Sequence, residues 1–194
     1  MAKKESTLLN MVLALGIVTL VASTSLGYIY ELTKEPIEAA RLAKRIRAIG
    51  AVVPDYDNNP VSEMYRLPSP GNSDSLDVYP VSKNGEPSGY ALRSVSAGGY
   101  GGNIWLMVGF LPDGTIYDIS VIEHKETPGL GTKLAEDPFR NQFKGKNPSD
   151  FDLRVKKDGG DVDALTGATI SSRAFGEAAQ LAYDTFMKAK GHDQ

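Results

Sequence analysis

The chain has 194 residues, of which 41% are hydrophobic and 23% charged, with a net charge of -3, two histidines and no cysteine. These values fit one folded domain with additional segments. The absence of cysteine excludes disulfides, thiolate-bound metals and cysteine-bound iron–sulfur clusters within this chain. The sequence shows no basic face of the kind that would indicate nucleic acid as a partner. Redox chemistry here would therefore need an organic cofactor.

The first predicted element is an apolar helix near the N-terminus. No charged residue occurs from Ser6 to Tyr30, and residues 8–29 would form a helix of roughly 30 Å, the thickness of a bilayer's hydrocarbon core. The alternatives are a cleaved signal peptide, since VASTSLG (21–27) offers small residues for cleavage, and a buried soluble helix. The uncharged run is longer than a usual signal-peptide core and has no polar face. We therefore predict that residues 1–31 form an N-terminal tip and a retained transmembrane anchor.

A second helical pattern follows at residues 34–49, where apolar residues recur at helical spacing and Pro36 suits a first turn. It predicts a stalk helix that continues from the span. Basic residues both precede the span, at Lys3 and Lys4, and follow it among three glutamates, so charge alone leaves the orientation open. We assign residues 32–75 to this stalk and to a polar linker, LPSPGNSDS (67–75).

Residues 76–194 are predicted to form an α+β domain, with helices packed against an antiparallel sheet. Four strands are expected, at residues 76–82, 90–97, 103–110 and 115–124, because alternating apolar runs are separated by turn residues. The third is nearly continuous in apolar residues, which predicts an interior position and a core role for Trp105. A short helix at 134–143, a short strand at 152–157 and an amphipathic helix from about Ser171 to Lys188 complete the domain.

The stretch DALTGATISS (163–172) comes just before the last helix. A threonine at a helix start can be a plain cap, but the unpaired N–H groups there also suit a phosphate. Gly167 allows close approach to the backbone, and Ala168 keeps the neighbouring volume small. No Walker lysine follows, and GGYGGN lacks the strand and helix of a Rossmann loop, so a non-covalent nucleotide site is poorly supported.

The segment Asp163–Thr169 resembles the signal read by the bacterial flavin transferase: Asp, two variable positions, Ser or Thr, Gly, Ala, then the acceptor Ser or Thr. That enzyme moves FMN from FAD onto the acceptor hydroxyl as a phosphodiester. GYGGNIWLMVGF and EHKETPGLG resemble two further motifs of the FMN-binding domain in Rnf electron transport complexes and in the sodium-pumping NADH:quinone oxidoreductase. Over essentially its whole length the chain is similar to this family. It is closest to the G subunits of Rnf complexes, because the C subunit of the quinone reductase is typically longer.

The resemblance implies a covalent FMN on Thr169 that relays electrons between neighbouring redox centres. The complex would couple ferredoxin oxidation and NAD reduction to Na⁺ or H⁺ movement. The implied partners are the other membrane subunits and, during maturation, the flavin transferase. The implied location is the bacterial inner (cytoplasmic) membrane, with the N-terminal tip of residues 1–31 in the cytoplasm and the C-terminal domain on the periplasmic side. The chain would then be a redox subunit rather than an enzyme in isolation.

The resemblance also implies a set of cofactor-binding residues: Thr166, Gly167, Ala168, Thr169, Glu126, Thr127, Gly129, Leu130, Lys133 and Tyr100. We expect Leu130 against the flavin ring and either Thr127 or backbone amides near its polar edge. Lys133 would either reach the phosphate or be solvated. The glycines at 98–102 would serve either a bulge or close approach to the cofactor.

Two other functions remain open at this point. One is a membrane-anchored extracytoplasmic domain that binds a dissociable ligand, with Thr169 as an ordinary cap and no redox role. The other is a flavinylated domain that serves a different reductase.

Overall fold

The computed structural model describes residues 7–69 and 75–190, which belong to two compact units, Met1–Arg45 and Ile46–Gln194. The described part contains three α-helices, five strands and two short 3₁₀ turns. In chain order these are α1 (Leu8–Val52), β1 (Tyr65–Pro68), β2 (Ser75–Lys83), β3 (Glu86–Gly99), β4 (Gly102–Phe110), β5 (Ile116–Glu123), a 3₁₀ turn (Gly131–Ala135), α2 (Asp137–Arg140), a 3₁₀ turn (Lys156–Asp158) and α3 (Thr169–Lys190). The predicted α+β class is confirmed.

Helix α1 is continuous from the apolar run through the predicted stalk, as the sequence indicated. Within the described residues it is the one helix long and apolar enough to cross a membrane, and side chains such as Leu8 and Leu20 are exposed. Pro36 lies inside the helix rather than in a first turn, because the helix already began at Leu8. Its missing N–H therefore removes one helical hydrogen bond. The predicted tip at residues 1–6 lies outside the described residues.

The five strands form one antiparallel sheet in the order β1-β2-β3-β4-β5. Strands β2 to β5 correspond to the four predicted strands, and β4 lies in the interior of the sheet, as expected. The assignment of residues 67 and 68 to a linker is wrong. Leu67 pairs with Leu76 in register and is buried in the main core, and Pro68 is tolerated because β1 is an edge strand. The rest of that linker includes residues 70–74, which are not described.

Both faces of the sheet are covered over residues 106–110 of β4, which explains why this part of the strand is apolar on both sides. Ile104, Leu106 and Val108 face the main core, where α3 packs through residues such as Phe175 and Phe186. Met107 faces the other side, in a smaller cluster with Ile49 and other residues from the end of α1. A side chain at Gly109 would collide with the backbone of Val52, so glycine is needed for this close packing.

Three local predictions need correction. The helix expected at 134–143 is a 3₁₀ turn followed by the four-residue α2, because Pro138 interrupts continuous helix formation. Residues 152–157 form no strand; Val155 makes a single parallel bridge to Val162. Trp105 is half-buried rather than part of the core. It lies on the sheet face opposite α3, with the Arg93 guanidinium 4.0 Å from the ring centre.

Candidate functional site

A tight turn leads into α3 and presents Thr169 as the first residue of the helix. The N–H of Ala168 donates to the carbonyl of Leu165 at 3.0 Å, and Gly167, at the third position of this turn, has φ +78°. Such a turn favours glycine because other residues are strained at positive φ. The Thr-Gly-Ala sequence before Thr169 therefore has a direct conformational explanation.

Ser172 connects this turn to the helix through two side-chain hydrogen bonds. Its buried hydroxyl donates to the carbonyl of Ala168 at 2.9 Å and accepts from the N–H of Leu165 at 3.0 Å. Ser172 was not predicted to have a role. The Ser-Ser pair after Thr169 was the available indication, but only the folded turn shows which hydroxyl faces inward.

The start of α3 offers unpaired hydrogen-bond donors. Among the described residues, no acceptor is found for the N–H groups of Thr169, Ile170 and Ser171, and the N-cap position is Ala168, which has no side-chain oxygen. The Thr169 hydroxyl contacts the Lys157 ammonium at 3.5 Å. The threonine therefore does not cap its own helix, and the free donors together with the helix dipole make this terminus suitable for an anion.

A cavity of about 620 Å³ opens beside Thr169, within the range of roughly 300–1,000 Å³ found for ligand sites. Four chain segments form its wall: the β3–β4 hairpin, the loop after β5, the 3₁₀ turn Lys156–Asp158, and the turn into α3 with the first residues of that helix. The lining residues are Tyr100, Glu126, Thr127, Leu130, Gly131, Lys157, Gly167, Ala168, Thr169, Ile170 and Ser171. The three motifs identified in the sequence thus meet at one site.

The lining of this cavity combines two kinds of group. Apolar side chains border it and remain exposed, with Tyr100 at 73%, Ile170 at 48% and Leu130 at 44%. The free N–H groups at the start of α3 and the ammonium of Lys157 supply hydrogen-bond donors and a positive charge. A flat apolar ring with a phosphate tail matches this arrangement. Ile170 was not predicted, because nothing in the sequence distinguishes it from the other apolar residues of α3.

Glu126 connects three of these segments, the hairpin, the loop after β5 and the start of α3. Its carboxylate is buried; Oε1 accepts from the N–H of Gly101 at 2.9 Å, and Oε2 accepts from the hydroxyl of Ser171. Its own N–H donates to His124 Nδ1 at 3.2 Å. The hairpin, the loop and the helix start are therefore held together by a single side chain.

The glycines of the two loops make room for these contacts. A Cβ on Gly131 would lie 2.6 Å from Glu126 Oε2, and one on Gly101 would collide with the carbonyl of Lys125. The pairing of β3 with β4 shifts between Ser96 and Gly99, which then pairs with Gly102. These glycines therefore allow a bulged hairpin and close packing of protein on protein.

Three of the predicted site residues do not line the cavity in the described part of the chain. Thr166 is exposed at the second position of the turn. Gly129 has φ +76° and donates its N–H to the Thr132 hydroxyl at 2.9 Å. Lys133 is exposed on the 3₁₀ turn after the loop.

Lys157 was not predicted as a site residue. It belongs to residues 152–157, which the sequence pattern assigned to a strand. Its position depends on a chain reversal that brings Val155 beside Val162 and uses Gly159 at φ +87°. Such a contact is not visible in local periodicity.

Two further observations concern other kinds of site in the part of the chain that the structure describes. In residues 7–69 and 75–190 no group of three or more acidic or histidine side chains could hold a metal ion. A second groove of about 510 Å³ runs between residues 152–158 and α3. Its cations already bind carboxylates of the same groove, as in Arg173–Asp158 at 2.6 Å.

We expect Glu126→Ala to lower the free energy of unfolding by about 2–4 kcal/mol, because the Gly101 N–H and the Ser171 hydroxyl lose their acceptor in a buried place. Glu126→Gln keeps the shape and one oxygen, so its loss should be smaller. The measurement is urea unfolding of the full chain in detergent. Glu123→Ala, an exposed control nearby, should change the value by less than about 0.5 kcal/mol. Equal stability of Glu126→Ala and wild type would show that the carboxylate does not hold the segments together.

Comparison with known proteins agrees with this geometry. The sequence pattern of the FMN-binding domain family matches residues 99–184, which include every segment of the cavity wall. Among solved structures, Shewanella oneidensis NqrC aligns with a TM-score of 0.51 at 21% identity over 72% of this chain and 68% of that one. The C subunit of the Na⁺-translocating NADH-quinone reductase from Parabacteroides distasonis aligns with a TM-score of 0.50 at 24% identity, over 71% of each chain. These two similarities show a shared fold.

Curated relatives are closer in sequence. The G subunit of the ion-translocating oxidoreductase complex of Erwinia tasmaniensis is 41% identical over 151 residues, which cover 73% of this chain and 72% of the relative. The corresponding protein of Vibrio atlanticus is 37% identical over 79% and 78% of the two chains. That of Pseudomonas aeruginosa is 33% identical over 95% and 91%. The sequence, the fold and the meeting of the three motifs at one cavity together show that this chain belongs to the family of G subunits of ion-translocating oxidoreductase complexes.

Proposed function

We propose that this chain is the electron-carrier subunit of an ion-translocating oxidoreductase complex and that it carries FMN covalently bound to Thr169 through a phosphodiester. One observation carries the proposal. The Thr169 hydroxyl lies at a helix N-terminus with free N–H groups, beside a cavity of about 620 Å³ that is lined by all three motifs.

The residues present fit the proposed cofactor. The N–H groups at residues 169–171 and the Lys157 ammonium would hold the phosphate. Leu130, Ile170 and Tyr100 would contact the ring, and Thr127 would lie near its polar edge. When bound, FMN supplies reversible electron uptake. Because Tyr100, Leu130 and Ile170 are exposed, a ring held against them would be accessible to neighbouring redox groups.

Attachment requires a second enzyme, because a threonine hydroxyl is too weak an acid to react unaided. The motif is presented suitably for a flavin transferase. Gln142 holds the backbone of Asp163 with two hydrogen bonds, 2.7 Å to its N–H and 3.2 Å to its carbonyl. The Asp163 carboxylate stays exposed beside Lys156. We infer that Asp163 and the exposed Thr166 are contacted by the transferase.

The remaining predicted residues have supporting roles in this proposal. Gly129 gives the loop after β5 its shape, since its positive φ favours glycine. Lys133 is exposed beside this loop, and its proposed contact with the phosphate would require its side chain to extend toward the cavity. Within the complex, the partners would be the other membrane subunits of an Rnf-type assembly.

The acceptor assignment is tested by denaturing gel electrophoresis of the full chain made with flavin transferase present. Flavin fluorescence should stay with the wild-type band and with Thr169→Ser, since both keep a hydroxyl. It should be absent from Thr169→Ala. Thr115→Ala, in the distant β4–β5 turn, serves as the control and should keep the fluorescence. Flavin that separates from the wild-type band on denaturation would favour the binding domain without a redox role.

We also propose that α1 spans the inner membrane and that the unit Ile46–Gln194 lies on the periplasmic side. A covalent tether suits that location, because no FMN pool outside the cytoplasm could replace a lost cofactor. The chain has no cysteine, so single cysteines can report topology without background.

For this test, Ser149→Cys and Ala2→Cys are labelled in intact spheroplasts with a membrane-impermeant maleimide. Ser149 is exposed, so its cysteine should react in intact spheroplasts. The cysteine at position 2 should react only after lysis. The reverse pattern would contradict the proposed orientation.

A further inference from the structure

We propose that Lys157 is the positioning cation of the attachment site: its ammonium pairs with the phosphodiester on Thr169 and assists its formation. This inference rests on the proposed function above and adds a residue to it. Neither the family motifs nor the sequence pattern indicated this lysine.

The geometry is the first support. Lys157 Nζ lies 3.5 Å from Thr169 Oγ1, and Lys157 lines the cavity beside the start of α3. A group attached to Oγ1 would therefore lie within reach of this ammonium. The free N–H groups of the helix face the same region, so the two kinds of donor can act on one anion.

The second support is that no ion pair of Lys157 with a carboxylate is found among the described residues, although its charge acts at longer range on the neighbouring Asp158. Neighbouring cations each have a carboxylate partner: Lys156 with Asp163, Arg154 with Asp152, and Arg173 with Asp158. In the described part of the chain, no carboxylate lies within 4.0 Å of Lys157 Nζ. This ammonium is therefore available to an added anion.

The backbone that carries Lys157 is fixed relative to α3. The N–H of Lys156 donates to the carbonyl of Val162 at 2.8 Å, and that of Asp158 donates to the carbonyl of Val155 at 2.8 Å. The next residue, Asp158, binds Arg173 of α3, and this guanidinium holds the pKa of Asp158 below its usual value. Ion pairing thus joins the Lys157 turn to the helix that begins at Thr169.

The attachment step explains why a cation is useful here. Thr169 Oγ1 forms a bond to the FMN phosphorus of FAD, the bond between that phosphorus and the bridging pyrophosphate oxygen breaks, and AMP leaves. The hydroxyl proton passes to a base of the transferase. Negative charge develops on Oγ1 and on the phosphoryl oxygens, where a fixed ammonium stabilises it. Afterwards the phosphodiester keeps one negative charge, which Lys157 continues to pair.

The test follows flavinylation of the full chain in detergent, with purified transferase and FAD, by intact mass over time. Lys157→Met should lower the rate about tenfold, as expected for loss of one charge-assisted contact while the helix donors remain. Lys157→Arg should restore most of the rate. Lys188→Met is the matched control: it removes the same charge near the other end of α3, roughly 28 Å along the helix, and should react like wild type.

A second measurement separates pairing from a general structural effect. After complete flavinylation, the ³¹P resonance of the phosphodiester should move in Lys157→Met and stay in place in Lys188→Met. Lys157 is exposed, so thermal unfolding of Lys157→Met should match wild type.

Three outcomes would count against this proposal in different ways. Equal rates and equal ³¹P resonances for Lys157→Met and wild type would overturn the role of Lys157 and leave the flavinylated Thr169 intact. A slower reaction of Lys133→Met with no effect of Lys157→Met would assign the phosphate contact to Lys133 instead. No adduct on the wild-type chain would overturn the proposed function itself.

Discussion

The site depends on the buried carboxylate of Glu126. The β3–β4 hairpin, the loop after β5 and the start of α3 are distant in sequence, and this side chain accepts hydrogen bonds from Gly101 and Ser171 while belonging to the loop itself. A buried carboxylate without partners would be costly, so these contacts favour one arrangement of the three segments. The cavity forms where these hydrogen bonds of Glu126 bring the three segments together.

Residues that look alike in the sequence motifs have different roles in the structure. Gly101 and Gly131 are needed because protein atoms approach them closely. Gly167 is needed for its backbone conformation. The groups available to a cofactor are others: the hydroxyl of Thr169, the unpaired N–H groups after it, Lys157, and the exposed apolar side chains around the opening. The motifs therefore combine scaffold residues with proposed cofactor contacts.

Sequence reasoning succeeded for elements that are determined by the pattern of neighbouring residues. Alternation and turn residues located β2 to β5, and the apolar run located the candidate span. It failed where contacts between distant segments determine the structure. The short strand β1 was assigned partly to a linker because Pro and Ser residues follow it, yet Leu67 pairs with β2 and is buried. Lys157 was missed for the same reason, since its proximity to Thr169 arises only after residues 152–168 fold back onto α3. Ile170 was missed because nothing in the sequence distinguishes it from the other apolar residues of α3. Trp105 was placed in the core because an apolar strand does not show that part of one sheet face is open.

The central claim is one phosphodiester bond on one side chain. The most direct measurement is the intact mass of the chain purified from its native membrane, followed by fragmentation of the peptide that contains residues 163–173. The account predicts a mass increase equal to FMN less one water, located on Thr169. An unmodified residue 169 in that material, with no flavin elsewhere on the chain, would contradict it.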